Sequence, residues 1–217
     1  MKIKSLKTFL LSHPMSKPTG PANFYYRTRT TLIIRIETDE GLVGWGETVA
    51  LPGVKGVIDD HCAVVLRGRD PCDRRALSRE LWGQSFGNGM AIGGVEIALD
   101  DLRGQILGLP IAELYGGRLR PRVQAYASAM NYIEGENPEE YYPREAERLA
   151  ASGFRAMKMR LGGQPHDRDL AAAKAVRRAV GPDVKLMADG NGAYALGGAI
   201  KMGRALEELD YYWWEEP

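Results

Sequence analysis

The sequence predicts an α+β domain, built from a three-stranded antiparallel meander plus helices, followed by the first half of a (β/α) barrel of the TIM type. Three observations support this fold class. Apolar residues alternate in the first 50 positions, recur at helical spacing between positions 57 and 107, and fall into strand–helix units after position 121. A chain of 217 residues has room for both parts, because a domain averages roughly 150 residues. We place the domains at residues 1–120 and 121–217.

The meander begins with a strand over residues 2–11, followed by a loop over residues 12–23 that is rich in Pro, Ser and Gly and that we expect to be mobile. Residues 30–37 alternate between apolar and polar side chains, and residues 42–47 resume the alternation. Between these two segments, Asp39-Glu40-Gly41 supplies turn residues. The two segments therefore form a hairpin.

Helices fill the rest of the first domain, over residues 57–107. The clearest helical stripe has apolar residues at spacings of three and four: Val95, Ala98, Leu99, Leu102 and Ile106. Gly108-Leu109-Pro110 ends this helix, and a short helix then runs from Pro110 to Leu114. Gly116-Gly117 ends the short helix, so we expect the first domain to close near this point.

Strands and helices alternate after Pro121, which indicates a parallel sheet. The predicted strands cover residues 123–127, 156–160, 184–189 and 211–214, and the predicted helices cover residues 138–151, 167–180 and 196–209. The last three strands end near Arg160, Asp189 and Glu215, which lie 29 and then 26 residues apart. Such regular spacing is typical of one βα unit each and favours a barrel over an irregular open sheet.

Only four barrel strands precede Pro217. A complete barrel needs eight strands and about 250 residues. A chain that stops directly after a strand would also leave a parallel sheet edge uncovered. We therefore expect the given sequence to be truncated after the fourth barrel strand.

Ionisable residues stand where three consecutive strands end. Lys158 and Arg160 lie two residues apart, so they point to the same side of their strand. Asp189 and Asn191 follow the next strand, and Glu215 ends the one after it. Because the carboxyl ends of barrel strands meet at one mouth, we expect these side chains to converge there. The structural alternatives are helix capping for a single acidic residue and an ion pair between Arg160 and Asp189 or Glu215.

Two carboxylates on neighbouring strand ends suit a hard divalent cation such as Mg²⁺. Asp189 and Glu215 are the candidate ligands, and the sequence offers no Cys or His cluster for zinc. The paired cations Lys158 and Arg160 beside them favour a functional site over isolated capping residues.

The ordered motifs of this chain resemble the enolase superfamily and, within it, the mandelate racemase and muconate lactonizing enzyme branch. The motifs are Lys158-Met159-Arg160, Asp189-Gly190-Asn191 and Glu215-Glu216-Pro217, behind the segment Gly41-Leu42-Val43-Gly44-Trp45-Gly46-Glu47. The resemblance covers essentially the whole chain, as a capping domain plus half a barrel. It implies Mg²⁺-dependent removal of the proton alpha to a carboxylate, through an enediolate intermediate that the metal and nearby cations stabilise.

The resemblance also implies roles for single residues. Asp189 and Glu215 correspond to the first two metal ligands, and a third would lie at the end of the following strand. Lys158 corresponds to a catalytic cation that holds or polarises the substrate carboxylate. Asn191 is similar to an amide near the metal, with a turn as its structural alternative, and Glu216 would support the ligands rather than bind the metal.

Arg160 departs from the family pattern, because many relatives carry a second lysine there as general base. A guanidinium has a pKa above about 12 and does not accept a proton. This departure favours one-base chemistry, with a base such as the histidine that relatives carry on a later strand, and hence dehydration of a sugar acid. A racemase or epimerase, or a lactonizing cycloisomerase, is the alternative on the same scaffold. An inactive fragment or assembly module is the alternative of another class.

Loops of the first domain, residues 13–29 and 51–56, resemble segments that close over the mouth in relatives and select the substrate. Tyr25 and Arg27 are the candidate substrate-binding residues there, with packing and solvated loop positions as the alternative. The expected partner is therefore a small-molecule carboxylate, with a sugar acid favoured. The resemblance alone implies a homo-oligomer.

Composition excludes several other classes. The net charge of +1 leaves no electrostatic footprint for nucleic acid or an anionic membrane surface. No apolar run approaches the roughly 18 residues of a membrane span, and two cysteines are too few for a disulfide framework. We expect a cytoplasmic protein with neither nucleic-acid nor membrane partners.

Overall fold

The computed structural model describes residues 1–84 and 87–217. Residues 85 and 86, which belong to the predicted helical region 57–107, lie outside the described residues. The described chain packs as two compact units, the first formed by Met1–His13 with Arg29–Pro121 and the second by Pro14–Thr28 with Arg122–Pro217. The predicted domain boundary at residues 120 and 121 stays a prediction.

The first unit contains the predicted antiparallel meander, in the strand order β3-β2-β1. Its strands are β1 (Ile3–Gly20), β2 (Tyr26–Thr38) and β3 (Val43–Thr48), and the parts of β1 and β2 that fall within Pro14–Thr28 belong to the second unit. The hairpin register pairs Leu32 with Thr48 at one end and Glu37 with Val43 at the other. Gly41 turns the chain between them with a φ of 87°, a conformation that glycine adopts without a steric penalty.

Helices cover one face of this sheet. They are α1 (Pro52–Gly56), α2 (Ala63–Leu66), α3 (Arg74–Gln84), α4 (Gly89–Leu107) and α5 (Ile111–Leu114), with a π-helical stretch at Val57–Cys62 between α1 and α2. The predicted stripe of α4 is confirmed for Val95, Ala98, Leu99 and Leu102, which are fully buried, whereas Ile106 at its end is only partly buried. Asn88 caps the start of α4 by accepting a hydrogen bond from the Ala91 N–H, and Gly108 ends it in the left-handed conformation.

Strand β3 lies directly against α4 because it carries glycine where the two backbones meet. A Cβ atom built on Gly46 would lie 2.1 Å from the carbonyl oxygen of Gly94. Leu32, Ile34 and Ile36 of β2 are fully buried beside it. The alternation that predicts the strand therefore also defines the core of the first unit.

The second unit contains four parallel strands in the order β4-β6-β7-β8, as predicted for half of a (β/α) barrel. The strands are β4 (Ala127–Ser128), β6 (Ala156–Arg160), β7 (Lys185–Asp189) and β8 (Tyr211–Glu215), and the helices are α6 (Pro138–Ala151), α7 (His166–Val180) and α8 (Leu196–Glu208). Met157 and Met159 of β6 are fully buried in one cluster with Ala172 and Val176 of α7. These methionines face the helices, so Lys158 and Arg160, which alternate with them, face the other side of the sheet.

Strand β2 begins at Tyr26, four residues before its predicted start. Two further predicted boundaries are wrong. Strand β1 continues to Gly20, through most of the segment predicted as a mobile loop, because its end pairs with the short strand β5 (Tyr132–Ile133), Thr19 opposite Ile133 and Gly20 opposite Tyr132. The first barrel strand is shorter than predicted, since only Ala127 and Ser128 pair with β6. Both outcomes depend on pairing with distant segments, which local sequence does not encode.

One arginine ties together the end of the second unit where β7 and β8 begin. The Arg177 guanidinium, on α7, donates hydrogen bonds to four backbone carbonyls: those of Leu209 at 2.9 Å, Gly181 at 2.8 Å, Val184 at 2.9 Å and Asp210 at 2.7 Å. It also lies 5.7 Å from the ring centroid of Tyr211. This single side chain therefore satisfies carbonyls of two strand-entry loops.

In the described part of the chain, no helix combines the length and the apolarity that crossing a membrane would take.

Candidate functional site at the carboxyl ends of the barrel strands

The register of the parallel sheet brings the predicted site residues side by side. Arg160 at the end of β6 is the register partner of Asp189 on β7, and Asp189 is the register partner of Glu215 on β8. Neighbouring strands lie about 4.8 Å apart, so side chains at these positions on the same side of the sheet can touch. The convergence expected from the strand-end pattern is present.

Lys158 lies between the two carboxylates. Its Nζ atom is 3.0 Å from Oδ2 of Asp189 and 3.1 and 3.0 Å from the two carboxylate oxygens of Glu215. The side chains of Lys158 and Asp189 are only 7% and 3% exposed, whereas that of Glu215 is 37% exposed. Burial lowers the pKa of Lys158, but the hydrogen bonds to Glu215 and Asp189 outweigh it and raise that pKa above its usual value. Lys158 is therefore held as a cation.

Arg160 reaches the same carboxylate from the other side. Its Nη1 donates to Oδ2 of Asp189 and lies 3.3 Å from Oδ1 of Asn191, while its Nε lies 3.4 Å from Oδ1 of Asn131. The ion pair that the structural alternative expects for Arg160 is thus present with Asp189. Three acceptors around one guanidinium fix its orientation more tightly than a single ion pair would.

Asn191 forms the turn that follows β7. It adopts a left-handed backbone conformation, with a φ of 48°, and its N–H donates to Oδ1 of Asp189 at 3.0 Å. Its carbonyl oxygen accepts a hydrogen bond from Nδ2 of Asn23 at 3.2 Å. Asn tolerates the left-handed region better than most residues, so the turn role and the proximity to Asp189 occur together. Its side-chain oxygen is connected to the cluster by the hydrogen bond that it accepts from Arg160.

The donor set suits a hard divalent cation. One cation, the Lys158 ammonium, already lies within 3.1 Å of both carboxylates, so Asp189 and Glu215 are close enough to share one positive ion. The side-chain amide oxygen of Asn191 adds a third oxygen donor nearby, and Mg²⁺ prefers oxygen donors. Within residues 1–84 and 87–217, no group of three or more His, Cys, Asp or Glu side chains could hold a metal. The chain thus offers two carboxylates, which fit Mg²⁺ only if water, substrate or further ligands complete the octahedron.

The contacts described for the other predicted site residues are with groups other than the side chains of this cluster. Arg27 pairs with Glu134, at 2.7 and 3.2 Å, and Tyr25 is 41% exposed. Glu216 is exposed, and its carbonyl oxygen accepts a hydrogen bond from the Gly192 N–H at 2.8 Å. Their expected roles as substrate-binding or supporting residues stay predictions.

Three residues near the cluster were not predicted. Trp213 donates its indole N–H to Oε2 of Glu215 at 3.2 Å, and the Tyr126 ring lies 5.5 Å from the Trp213 ring and 5.9 Å from Nζ of Lys158. The period of two along β8 could have placed Trp213 beside Glu215. Asn131 follows Met130, which is buried and left-handed with a φ of 50°. No sequence pattern marks this turn.

A parallel β/α sheet that carries cations and carboxylates together at the carboxyl ends of its strands defines an active-site architecture of the (β/α)-barrel class. Residues 6–116 match the mandelate racemase / muconate lactonizing enzyme N-terminal domain, and residues 142–217 match the enolase C-terminal domain-like family. The chain therefore belongs to the mandelate racemase and muconate lactonizing enzyme branch of the enolase superfamily, as the resemblance implied.

Relatives of this chain have several activities. D-galactarolactone cycloisomerase of Agrobacterium fabrum is 32% identical over 223 residues, covering 100% of this chain and 59% of the relative. Arabinonate dehydratase of Saccharolobus solfataricus is 34% identical over 192 residues, covering 84% of this chain and 51% of the relative. The structure of a dipeptide epimerase from Enterococcus faecalis, complexed with Mg and the dipeptide L-Leu-L-Tyr, matches with a TM-score of 0.87 and 27% identity, covering 100% of this chain and 61% of that one.

The chain spans between about half and three fifths of the length of these curated relatives. One of these two relatives is named a cycloisomerase and the other a dehydratase.

Proposed function

We propose that this protein acts in the Mg²⁺-dependent abstraction of a proton alpha to a carboxylate, and that the reaction is the dehydration of a sugar acid. The observation that carries the proposal is the buried cluster in which Lys158 and Arg160 both contact Asp189. Deprotonation next to a carboxylate concentrates negative charge on the two carboxylate oxygens. Fixed cations in a site sheltered from water stabilise such charge better than water does.

Asp189 and Glu215 would hold the metal, with the Asn191 amide oxygen beside them. Bound Mg²⁺ would supply Lewis-acid stabilisation of negative charge on the substrate carboxylate. The carboxylates are oriented before any ligand arrives. Asp189 accepts the Asn191 N–H at 3.0 Å, and Glu215 accepts the Trp213 indole N–H at 3.2 Å.

Lys158 would bind the substrate carboxylate and remain protonated while doing so. Its long side chain ends between two carboxylates, and its ammonium could turn toward a substrate anion if Asp189 and Glu215 held a divalent cation. Arg160 would contribute a second fixed cation, oriented by Asn131 and Asn191. In this role it binds a substrate oxygen and does not take a proton, because a guanidinium does not deprotonate at physiological pH.

The identity of Arg160 supports dehydration over two-base racemisation. A racemase of this type removes and returns the proton on opposite faces and so needs two basic groups, whereas syn or anti loss of water needs one base and one group that protonates the leaving hydroxyl. The similarity to an arabinonate dehydratase supports the same choice of substrate class.

A cycloisomerase is the second candidate, and a racemase or epimerase is the third. The D-galactarolactone cycloisomerase that aligns over this whole chain favours the second candidate. A cycloisomerase likewise needs only one proton-transferring group for a given direction, so Arg160 does not argue against it. The reaction product distinguishes the three.

The test uses the purified protein with Mg²⁺ and a panel of aldonic and aldaric acids and their lactones in D₂O. Formation of a 2-keto acid supports dehydration. Deuterium at the alpha carbon without loss of water would contradict it and identify a racemase or epimerase. Ring opening or closure without loss of water would identify a cycloisomerase.

Two pairs of variants link any turnover to the proposed metal ligands. Asp189→Asn should abolish it, whereas Asp183→Asn makes the same change at an exposed residue and should not. Glu215→Gln and Glu208→Gln form the second pair, since Glu208 is exposed on α8. Turnover that survives Asp189→Asn and Glu215→Gln would overturn the proposed site.

A further inference from the structure

A buried carboxylate outside the proposed chemistry binds three separate elements of the second unit. Asp169 lies in the first turn of α7 and is 1% exposed. Its Oδ1 accepts the hydroxyl of Tyr132 at 2.6 Å, and its Oδ2 accepts the Gly162 N–H at 2.7 Å and the Tyr194 hydroxyl at 3.0 Å. Both carboxylate oxygens are therefore directed away from their own helix and toward the ends of the strands.

Each donor stands next to a residue of the candidate site. Tyr132 opens β5, Gly162 follows β6, and Tyr194 belongs to the loop after β7. Tyr132 follows Asn131 directly, Gly162 lies two residues after Arg160, and Tyr194 lies three residues after Asn191. The side chains of Asn131 and Asn191 both accept hydrogen bonds from the Arg160 guanidinium, which also binds Asp189. One carboxylate thus connects the three segments that orient the guanidinium.

The same segments are packed without spare room. A Cβ atom built on Gly162, whose φ is +98°, would lie 2.6 Å from the Cβ of Ala193 in the loop after β7. A Cβ atom built on Gly163 would lie 2.7 Å from the Tyr132 ring, and the Gly163 N–H donates to the Tyr132 hydroxyl at 3.0 Å. Because the loops touch, displacement of one must displace the others.

Stability alone does not account for Asp169. Burial raises the pKa of Asp169, even though the hydrogen bonds from Tyr132, Gly162 and Tyr194 act in the opposite direction. Keeping a carboxylate ionised in such a place costs free energy, and a buried ionic group replaced by apolar residues is often neutral or stabilising. An acidic residue in the first turn could also serve only the helix dipole, but a carboxylate with that role alone would not need both oxygens bound to other elements.

We propose that Asp169 is a positioning residue, which holds the segments after β4, β6 and β7 so that Asn131 and Asn191 fix the Arg160 guanidinium against Asp189. This inference deepens the proposed function and rests on it, since the arrangement that Asp169 maintains is the metal and substrate-carboxylate site.

The experiment removes single hydroxyl groups and compares them with a matched control. Tyr194→Phe and Tyr132→Phe each delete one donor to Asp169. Tyr211→Phe deletes a hydroxyl that donates to the Ala173 carbonyl at the same 3.0 Å, but Tyr211 is the first residue of β8, at the other end of the strand from Glu215. Asp169→Asn removes the charge and one acceptor, and if it does not fold, the tyrosine variants decide.

Three quantities are measured on the full chain. Urea unfolding reports the global stability, and hydrogen exchange followed by mass spectrometry reports opening of peptides over residues 160–164 and 189–194. Mn²⁺ alone serves as the metal probe, with the free ion followed by electron paramagnetic resonance. We expect Tyr194→Phe to speed exchange in both peptides beyond the change in global stability and to weaken Mn²⁺ binding about three- to tenfold, somewhat less than loss of a direct ligand partner does. Tyr211→Phe should lower the global stability and leave both other quantities unchanged.

Two results together would overturn the inference. In both Tyr194→Phe and Tyr211→Phe, exchange in the two peptides would change only as much as the global stability does, and the Mn²⁺ affinity would stay at the wild-type value. Failure of the proposed function has a different signature. Mn²⁺ binding that Asp189→Asn does not weaken would remove the metal from this site, whereas the exchange data would still decide whether Asp169 holds the loops.

Discussion

Nζ of Lys158 lies 3.0 Å from Oδ2 of Asp189, and both side chains are almost completely buried. The lysine keeps this carboxylate and that of Glu215 from repelling each other across the ends of β7 and β8. A divalent cation at the same place would do so more strongly, because it carries twice the charge. Lys158 and the proposed metal would therefore have overlapping electrostatic roles in the folded protein.

Lys158→Met should consequently make stability depend on metal. Without metal, we expect the free energy of unfolding to fall by about 3 kcal/mol. Breaking a buried ion pair leaves one charge buried without a partner, although Glu215 is partly solvated. Adding Mg²⁺ should restore much of this loss in the variant and stabilise the wild type less. Urea unfolding with and without Mg²⁺ measures both effects.

Lys174→Met is the control, because Lys174 is exposed on α7. It should change neither the stability nor its response to Mg²⁺. A metal response of Lys158→Met no larger than that of Lys174→Met would contradict a shared site for the two cations.

Arg160→Lys tests whether the side chain at this position binds the substrate or accepts a proton from it. A lysine cannot reach Asp189, Asn191 and Asn131 together as the guanidinium does. We expect at least about a tenfold loss of dehydration, the scale of one lost hydrogen bond to a charged group. The rate of 2-keto acid formation measures this loss, and Arg168→Lys, at an exposed position on α7, is the control. Exchange of the alpha proton in D₂O that exceeds the wild-type rate would instead show that a base works at this position.

Local periodicity predicts most of the second unit. Its predicted helices and the strands β6, β7 and β8 agree with the structure to within one residue at each end, because each element is long enough to show its own apolar pattern. The end of β1 and the short β5 were missed, and the first barrel strand was predicted over residues 123–127 although only Ala127–Ser128 form it, since two-residue pairings with distant segments leave no such pattern. Elements that show a local apolar pattern were predicted, whereas those that depend on pairing between distant segments were not.

The candidate site divides in the same way. Strand alternation predicts that Lys158 and Arg160 point to one side, and βα spacing predicts that Asp189 and Glu215 lie beside them. Asn131 comes to Arg160 through a left-handed turn at Met130 that the sequence does not reveal. Other expectations stay predictions, because the contacts within the cluster do not bear on them. They are the cytoplasmic location, the homo-oligomer and the roles of Tyr25, Arg27 and Glu216.

Arg177→Met should destabilise the second unit by about 2–3 kcal/mol. The substitution keeps a long apolar side chain but removes donors to the carbonyls of Gly181, Val184, Leu209 and Asp210. The hydrogen bonds to the first three are partly buried, and acceptors left without partners in such places are costly. Urea unfolding gives the loss. Arg178→Met, at the exposed neighbouring position, should change stability by less than about 0.5 kcal/mol. Equal effects of the two substitutions would show that the four carbonyls are satisfied equally well by water.

The first unit should lose stability in acid through Glu96. Burial raises the pKa of Glu96, but hydrogen bonds from Arg74 at 2.9 Å and Ser78 at 2.6 Å outweigh it, so the pKa in the folded protein lies below its usual value. A carboxyl group with a lowered folded pKa stabilises the fold fully above its unfolded pKa of about 4.3 and loses that contribution as the pH falls through the folded value. Glu96→Gln should therefore cost about 1–2 kcal/mol at pH 7.

That cost should shrink as the pH falls below about 4.3, because protonated Glu96 of the wild type then resembles glutamine. Urea unfolding of both proteins between pH 7 and pH 3 measures the difference. Glu113→Gln is the control, since Glu113 is exposed on α5, and it should leave the pH profile unchanged. A difference between wild type and Glu96→Gln that is constant over this range would mean that Arg74 stabilises the fold through Asp100, which it contacts at 2.8 Å, and not through the charge of Glu96.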